Sequence, residues 1–133
     1  MDKLTKFNGA FAILGTLLAK ILGGWDMALQ VLVGVVVLDY ITGVLVAISQ
    51  KRLSSEIGYK GILKKMMIFL LVYLAVLIEQ ATGTDILRLA VILFYIANEG
   101  ISILENAGKL DMPYPKVLRD VLAQLKDQGE GDV

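Results

Sequence analysis

The chain has 133 residues with 13 acidic and 13 basic side chains, so its net charge is zero and no nucleic acid is an expected partner. It contains no cysteine and no histidine, which removes disulfides, thiolate metal sites and the commonest general base at neutral pH. Hydrophobic residues make up 56% of the chain, against roughly 45–50% in an average soluble domain, and they occur in uncharged runs. These features predict an all-α membrane protein that is not an enzyme and needs no cofactor or metal.

The first hydrophobic segment, residues 7–22, is short for a membrane span. As a helix it measures about 24 Å, whereas the hydrocarbon core of a bilayer is about 30 Å thick. Its larger apolar side chains recur at three- and four-residue spacing, so it either crosses the membrane or lies in the interface, and we favour crossing. Lys3 and Lys6 precede it as in a signal peptide, but no small-residue cleavage site follows, and we expect no cleavage.

Three further segments are predicted to span the membrane, at residues 27–48, 66–82 and 86–106. Residues 1–110 would then form a transmembrane domain of three to four helices. The stretch 49–65 carries five basic residues against one acid, and the positive-inside rule places it in the cytoplasm. The second and fourth helices would therefore run from outside to inside, and the C-terminus would be cytoplasmic.

The remaining segment, residues 111–133, differs in composition from the predicted spans. Pro113 and Pro115 separate it from the fourth helix, because proline disrupts a helix interior. Apolar residues between Val117 and Leu125 recur on one face, with charged and amide side chains opposite them. We predict a cytoplasmic amphipathic helix, followed from Gly129 by a polar tail without regular structure.

Polar side chains inside the predicted spans are the candidate functional residues. Asp39 and Glu99 each lie twelve residues into a helix of the same direction, about 18 Å from its outer end, and no lysine or arginine is expected at that depth. On the fourth helix, polar residues recur at three- and four-residue spacing and predict a single polar stripe. Gly43 is predicted to let a neighbouring helix approach closely. The candidates for intramembrane polar contacts or oligomerisation are Asp39, Thr42, Gly43, Asn98, Glu99, Ser102, Glu105 and Asn106.

Two interpretations of these residues are open. An ionised carboxylate in hydrocarbon is costly, so the acids are expected to be protonated, to bond to groups such as Tyr95 or Asn98, or to face water. They would either be neutral hydrogen-bonding contacts between helices or line an aqueous path once several copies assemble. For Asp39 both interpretations stand; for the stripe we favour the aqueous path, because it holds more polar groups than packing needs.

Three stretches, in chain order, resemble the toxin-secretion/phage-lysis holin family of bacteriophages: residues 38–43 (LDYITG), 58–65 (GYKGILKK) and 98–106 (NEGISILEN). The resemblance covers about residues 27–125. It implies a multi-pass protein of the bacterial cytoplasmic (inner) membrane that self-associates into lesions. Through these an endolysin reaches the peptidoglycan and lyses the host, without required contact between the two proteins. Some members of the family support toxin secretion instead.

Two other functions fit the same residues. A small oligomeric ion channel or proton-coupled transporter would use Asp39 and Glu99 as relay groups. An antiholin would hold a partner holin inactive and would not lyse cells alone.

Overall fold

The computed structural model describes residues 2–131, and these form five helices without any strand. The helices are α1 (Lys3–Ile21), α2 (Met27–Ser49), α3 (Ser55–Thr82), α4 (Leu87–Lys109) and α5 (Lys116–Gly129). Of these, α1 to α4 are long and apolar enough to cross a membrane. The predicted all-α membrane fold is confirmed.

Local side chains fix where three of the helices begin. Asp2, Asp26 and Ser54 precede α1, α2 and α3, and each side chain accepts a hydrogen bond from the backbone N–H three residues on, at 2.9, 2.9 and 3.2 Å. Such caps satisfy N–H groups that have no partner inside the helix. At the other end of α3, Gly83 has a φ of 76°, a left-handed conformation that glycine adopts without strain.

The third helix begins eleven residues earlier than predicted, at Ser55 rather than at residue 66. The prediction placed the boundary at the first uncharged run, whereas the Ser54 cap starts the helix before the basic residues. With 28 residues, α3 measures about 42 Å and exceeds the hydrocarbon thickness of about 30 Å. Lys60, Lys64 and Lys65 are therefore helical and not part of a loop. The other bounds shift by at most four residues, α1 beginning at Lys3 and α4 ending at Lys109.

The bundle consists of α2, α3 and α4, whose apolar side chains meet in one core. That core contains Leu29, Leu32, Val36, Ile68, Val72, Ile92 and Ile96. By contrast, α1 has no buried residue and makes almost no contact with the other helices. The first helix thus stands beside the bundle and not within it.

The C-terminal helix is present, as the amphipathic pattern predicted, and it packs along α4. Its cytoplasmic position stays a prediction. Glu130 and Gly131 follow α5 in a turn, and the remainder of the predicted polar tail, residues 132–133, lies outside the described residues.

Candidate functional site

A lysine lies between the two acids that the sequence placed inside the membrane. Lys65 Nζ is 2.7 Å from Asp39 Oδ2, and 3.0 and 3.3 Å from the two carboxylate oxygens of Glu99. The three side chains are only 16%, 10% and 6% exposed. The prediction that no cation lies at this depth is wrong.

The earlier start of α3 explains this error. Asp39 lies ten residues before the end of α2, and Glu99 lies ten residues before the end of α4. Lys65 lies ten residues after the start of α3, which runs in the opposite direction. All three side chains are therefore about 15 Å from the same end of the bundle.

An amide and a hydroxyl complete this central cluster, which we define as Asp39, Thr42, Lys65, Glu99 and Asn106. Asn106 Nδ2 donates to Asp39 Oδ1 at 3.2 Å and to Thr42 Oγ1 at 2.9 Å. Thr42 Oγ1 in turn donates to the Asp39 backbone carbonyl at 3.1 Å. The partners of the Asp39 carboxylate are thus Lys65 and Asn106, in place of the tyrosine and asparagine partners expected from the sequence.

A cavity of about 210 Å³ borders the central cluster. Gly43 and the half-buried Ser102 line it together with Asp39, Lys65 and Asn106. A Cβ atom on Gly43 would lie 3.9 Å from Asn106 Nδ2, which is an ordinary contact. Gly43 therefore faces α4, but there is also room for a Cβ atom at this position. At about 30 Å³ per molecule, the cavity has room for several waters beside the charged groups.

The predicted single stripe on α4 divides into two rows. Glu99 and Asn106 are buried and Ser102 is half-buried, whereas Asn98 and Glu105 are exposed. Each row repeats at seven-residue spacing, and neighbouring rows on a helix point about 100° apart. The sequence pattern did not distinguish them, because three- and four-residue steps connect one row to the other. Of this stripe, only Glu99 and Asn106 belong to the central cluster.

The polar groups of the bundle interior find their partners within one chain. Among residues 2–131, no buried side-chain nitrogen or oxygen lacks a hydrogen-bond partner. Glu99 therefore has a hydrogen-bonding partner within one chain, and its role in assembly stays a prediction. The cluster nevertheless holds two carboxyl groups and only one ammonium group. Removing either partner of a buried ion pair destabilises a fold, because the remaining charge is left buried without a counter-charge.

A second charged site, the end cluster, lies at the opposite end of the bundle, and sequence reasoning missed it. The Arg88 side chain donates to the backbone carbonyls of Leu22 and Gly24 at 2.5 and 3.0 Å and to the Asp26 carboxylate at 2.7 Å. The last of these bonds holds the pKa of Asp26 below its ordinary value of 3.8. Gly23 has a φ of 94°, and a Cβ atom there would lie 2.6 Å from Arg88 Cδ. The only signal in the sequence was the glycine pair between two helices.

Neither cluster has the composition of a metal site. Within the described part of the chain, no group of three or more His, Cys, Asp or Glu side chains could hold a metal ion. The central cluster joins α2, α3 and α4 through charge, and the end cluster joins the turn between α1 and α2 to α4. The arrangement is suited to holding helices together inside a membrane.

Comparison with known proteins identifies the family. The model of the bacteriophage holin family matches residues 16–127. The chain belongs to this family. A probable holin of Bacillus phage phi105 is 37% identical to it over 95 residues, covering 71% of this chain and 70% of that protein. No solved structure matches.

Other relatives of this holin-family chain are bacterial proteins. An uncharacterized protein of Clostridium perfringens is 43% identical over 117 residues, covering 86% of this chain and 87% of the relative. An uncharacterized protein of Listeria monocytogenes is 42% identical over 125 residues, covering 92% and 86%. The family match includes both charged clusters and most of α5.

Proposed function

We propose that this protein is a holin whose copies self-associate in the bacterial cytoplasmic membrane and open holes that release an endolysin. Membership of the bacteriophage holin family and the similarity to a probable phage holin support this function. The endolysin would pass through the hole to the peptidoglycan without needing to bind the holin.

The observation that carries self-association is the exposed polar row of α4. Asn98 lies eleven residues into α4, about 17 Å from its start and near the middle of a bilayer, yet its side chain is exposed in the single copy. An unbonded amide in hydrocarbon costs free energy that a neighbouring helix or water removes. Glu105 lies on the same row, seven residues further. Since the inner row is already bonded within one chain, the outer row is what remains for contact with another copy or with water.

The distribution of basic residues supports an orientation with the Lys65 end of the bundle toward the cytoplasm. Lys51 and Arg52 lie between α2 and α3, and Lys60 lies in the part of α3 that extends beyond the hydrocarbon thickness, about 33 Å from the end of the helix. The end of α4 lies on the same side. In this orientation α5 begins on the cytoplasmic side, and the N-terminus is cytoplasmic as well if α1 spans.

Induced expression in bacteria, with and without a co-expressed cytoplasmic endolysin, tests this function. We expect abrupt lysis that needs the endolysin. Asn98→Leu should delay or abolish lysis because it removes the exposed amide, whereas Val37→Leu, at an exposed apolar position of α2, should lyse on the normal schedule. Depolarisation without release of the enzyme would identify a channel or transporter instead. Failure to lyse alone, combined with delayed lysis by a second holin, would identify an antiholin.

A further inference from the structure

The C-terminal helix runs antiparallel to α4 and follows it over most of its length. Leu122 lies against Gly100, and Lys126 Nζ lies 5.8 Å from the centre of the Phe94 ring. The last residue of α5, Gly129, lies against Phe94 and Ala90. As the chain proceeds along α5 it therefore returns toward the start of α4.

Two glycines, one on each helix, permit this close packing. A Cβ atom on Gly129 would lie 2.7 Å from the Phe94 Cα and 2.8 Å from the Ala90 carbonyl oxygen, which are backbone atoms that no rotamer change can move. A Cβ atom on Gly100 would lie 2.7 Å from a methyl carbon of Leu122. Gly108, also on α4, has no atom within 4 Å of its Cβ position. The two helices thus meet backbone to side chain at Gly100 and at the level of the backbone at Gly129.

This packing places α5 at the depth of the bilayer. Ala90 lies nineteen residues before the end of α4, a distance of about 28 Å along the helix, close to the full hydrocarbon thickness of about 30 Å. It also lies next to the turn of α4 that holds Arg88 and the end cluster. If α4 spans, the docked α5 lies alongside it inside the membrane.

The side of α5 that faces away from α4 is not compatible with lipid. Leu122, Leu125, Lys126 and Gly129 are partly covered, and the apolar Val117, Leu118 and Val121 are exposed. The exposed polar side chains are Lys116, Arg119, Asp120, Gln124, Asp127 and Gln128. Charged side chains within hydrocarbon are costly and almost always face protein or water. A lone copy surrounded by lipid would therefore not hold α5 in this position, whereas a copy in the wall of a water-filled hole would.

We propose that α5 docks along α4 when copies assemble, and that its polar side, with Arg119, Asp120, Gln124 and Asp127, lines the water of the hole. Before assembly α5 lies at the membrane surface with its apolar side in the interface. The proposal rests on the proposed hole-forming function and assigns part of the wall of the hole. It makes the α4–α5 hairpin, and not the central cluster, the part of the chain that meets the passing protein.

A disulfide between α4 and α5 tests when docking occurs. The Leu122 Cγ lies 3.4 Å from the Cβ position of Gly100, so the sulfur of Leu122→Cys would meet that of Gly100→Cys, and the native chain has no cysteine to interfere. Membranes from expressing cells, taken before and after the onset of lysis, are treated with a mild oxidant. We expect the crosslink within one chain only in the later sample. A crosslink of equal yield in both samples, or in neither, would overturn the proposal.

Matched variants separate this proposal from the proposed function. Gly108→Cys with Leu122→Cys should give no crosslink within one chain. Gly129→Ala should reduce release of folded protein from reconstituted vesicles by about tenfold, because the methyl group clashes with the α4 backbone, whereas Gly108→Ala should release normally. Equal release by the two alanine variants contradicts a role for α5 docking. If the wild-type protein released no folded protein, the hole-forming function would fail, and the timing of the crosslink would still report on docking.

The position of the polar side is tested after assembly. A polyethylene glycol maleimide attached to Asp127→Cys should let a small dye pass and block a folded protein. The same polymer on Glu56→Cys, at the exposed start of α3, should leave both unaffected. Passage of folded protein through holes modified at residue 127 would show that α5 does not line them.

Discussion

The two charged clusters of this protein differ in balance and in burial. In the central cluster one lysine meets two carboxyl groups whose side chains are 10% and 6% exposed. In the end cluster one arginine meets a single carboxylate that is 51% exposed, and its other donors bond backbone carbonyls. Solvent screens the second pair more strongly than the first, because the Asp26 carboxylate is half exposed. From this difference we expect the three-helix bundle to depend strongly on the central lysine, and the turn between α1 and α2 to depend less on its exposed and charge-balanced contact.

The largest effect on stability is expected when the cation of the central cluster, Lys65, is removed. Lys65→Met would leave two buried carboxyl groups without a counter-charge, and loss of one side of a buried pair typically costs about 3–5 kcal/mol. We expect the free energy of unfolding in mixed detergent micelles to fall by that amount. Lys64→Met, at the exposed neighbouring position, should change it by less than about 0.5 kcal/mol. A similar loss in both variants would show that the central pair is not special.

Charge balance can be restored within the same background. Adding Asp39→Asn and Glu99→Gln to Lys65→Met removes both stranded carboxylates, and we expect about 2 kcal/mol of the loss to return, within the range of coupling energies of contacting residues. Glu99→Gln alone should cost about 1 kcal/mol, because the Lys65–Asp39 pair remains. Strict additivity of the three substitutions would contradict a coupled cluster.

The end cluster should respond less than the centre. Arg88→Met removes hydrogen bonds to Leu22, Gly24 and Asp26, and we expect a loss of about 2 kcal/mol in the same unfolding measurement. Limited proteolysis between α1 and α2 should become faster, since that turn loses its contact with α4. An effect equal to that of Lys65→Met would remove the distinction between the two clusters.

The smallest expected effect depends on pH. Arg88 holds the pKa of Asp26 below 3.8, so the folded state favours the ionised carboxylate. This contribution is complete above the ordinary pKa and is lost as the pH falls through the lowered one. Asp26→Asn, which keeps the helix cap, should therefore lower the free energy of unfolding by less than about 1 kcal/mol at neutral pH. The difference from wild type should shrink below about pH 4; a difference that grew in acid would contradict the assignment.

The sequence predicted those features that depend on local pattern. The uncharged run of α2 and the depth of Asp39 and Glu99 follow from hydropathy and helix rise. Lys65 was assigned to a loop because hydropathy ends a span at its first charge, although Ser54 marks a helix start eleven residues before the predicted boundary. Lys65 pairs with Asp39 and Glu99, which are 26 and 34 residues away from it in the sequence. Packing between helices decides these pairs, and no local sequence pattern predicts them.

The two rows of α4 and the position of α5 show the same limit. Spacing alone joins Asn98 and Glu99 into one polar stripe, and only burial by α2 and α3 separates them. The sequence of α5 shows an amphipathic helix but not its partner. Gly100 and Gly129 lie where α4 and α5 approach closely, but the sequence does not indicate this role, because it depends on how the two helices pack.

The most direct test of hole formation is the size of what passes. Purified protein is reconstituted into vesicles that hold both a small dye and a folded fluorescent protein, and release of the two is measured vesicle by vesicle. If the protein is a holin, we expect single vesicles to lose both cargoes together once the protein reaches a threshold density. Loss of the dye with full retention of the folded protein, at every density, would contradict hole formation and identify a channel.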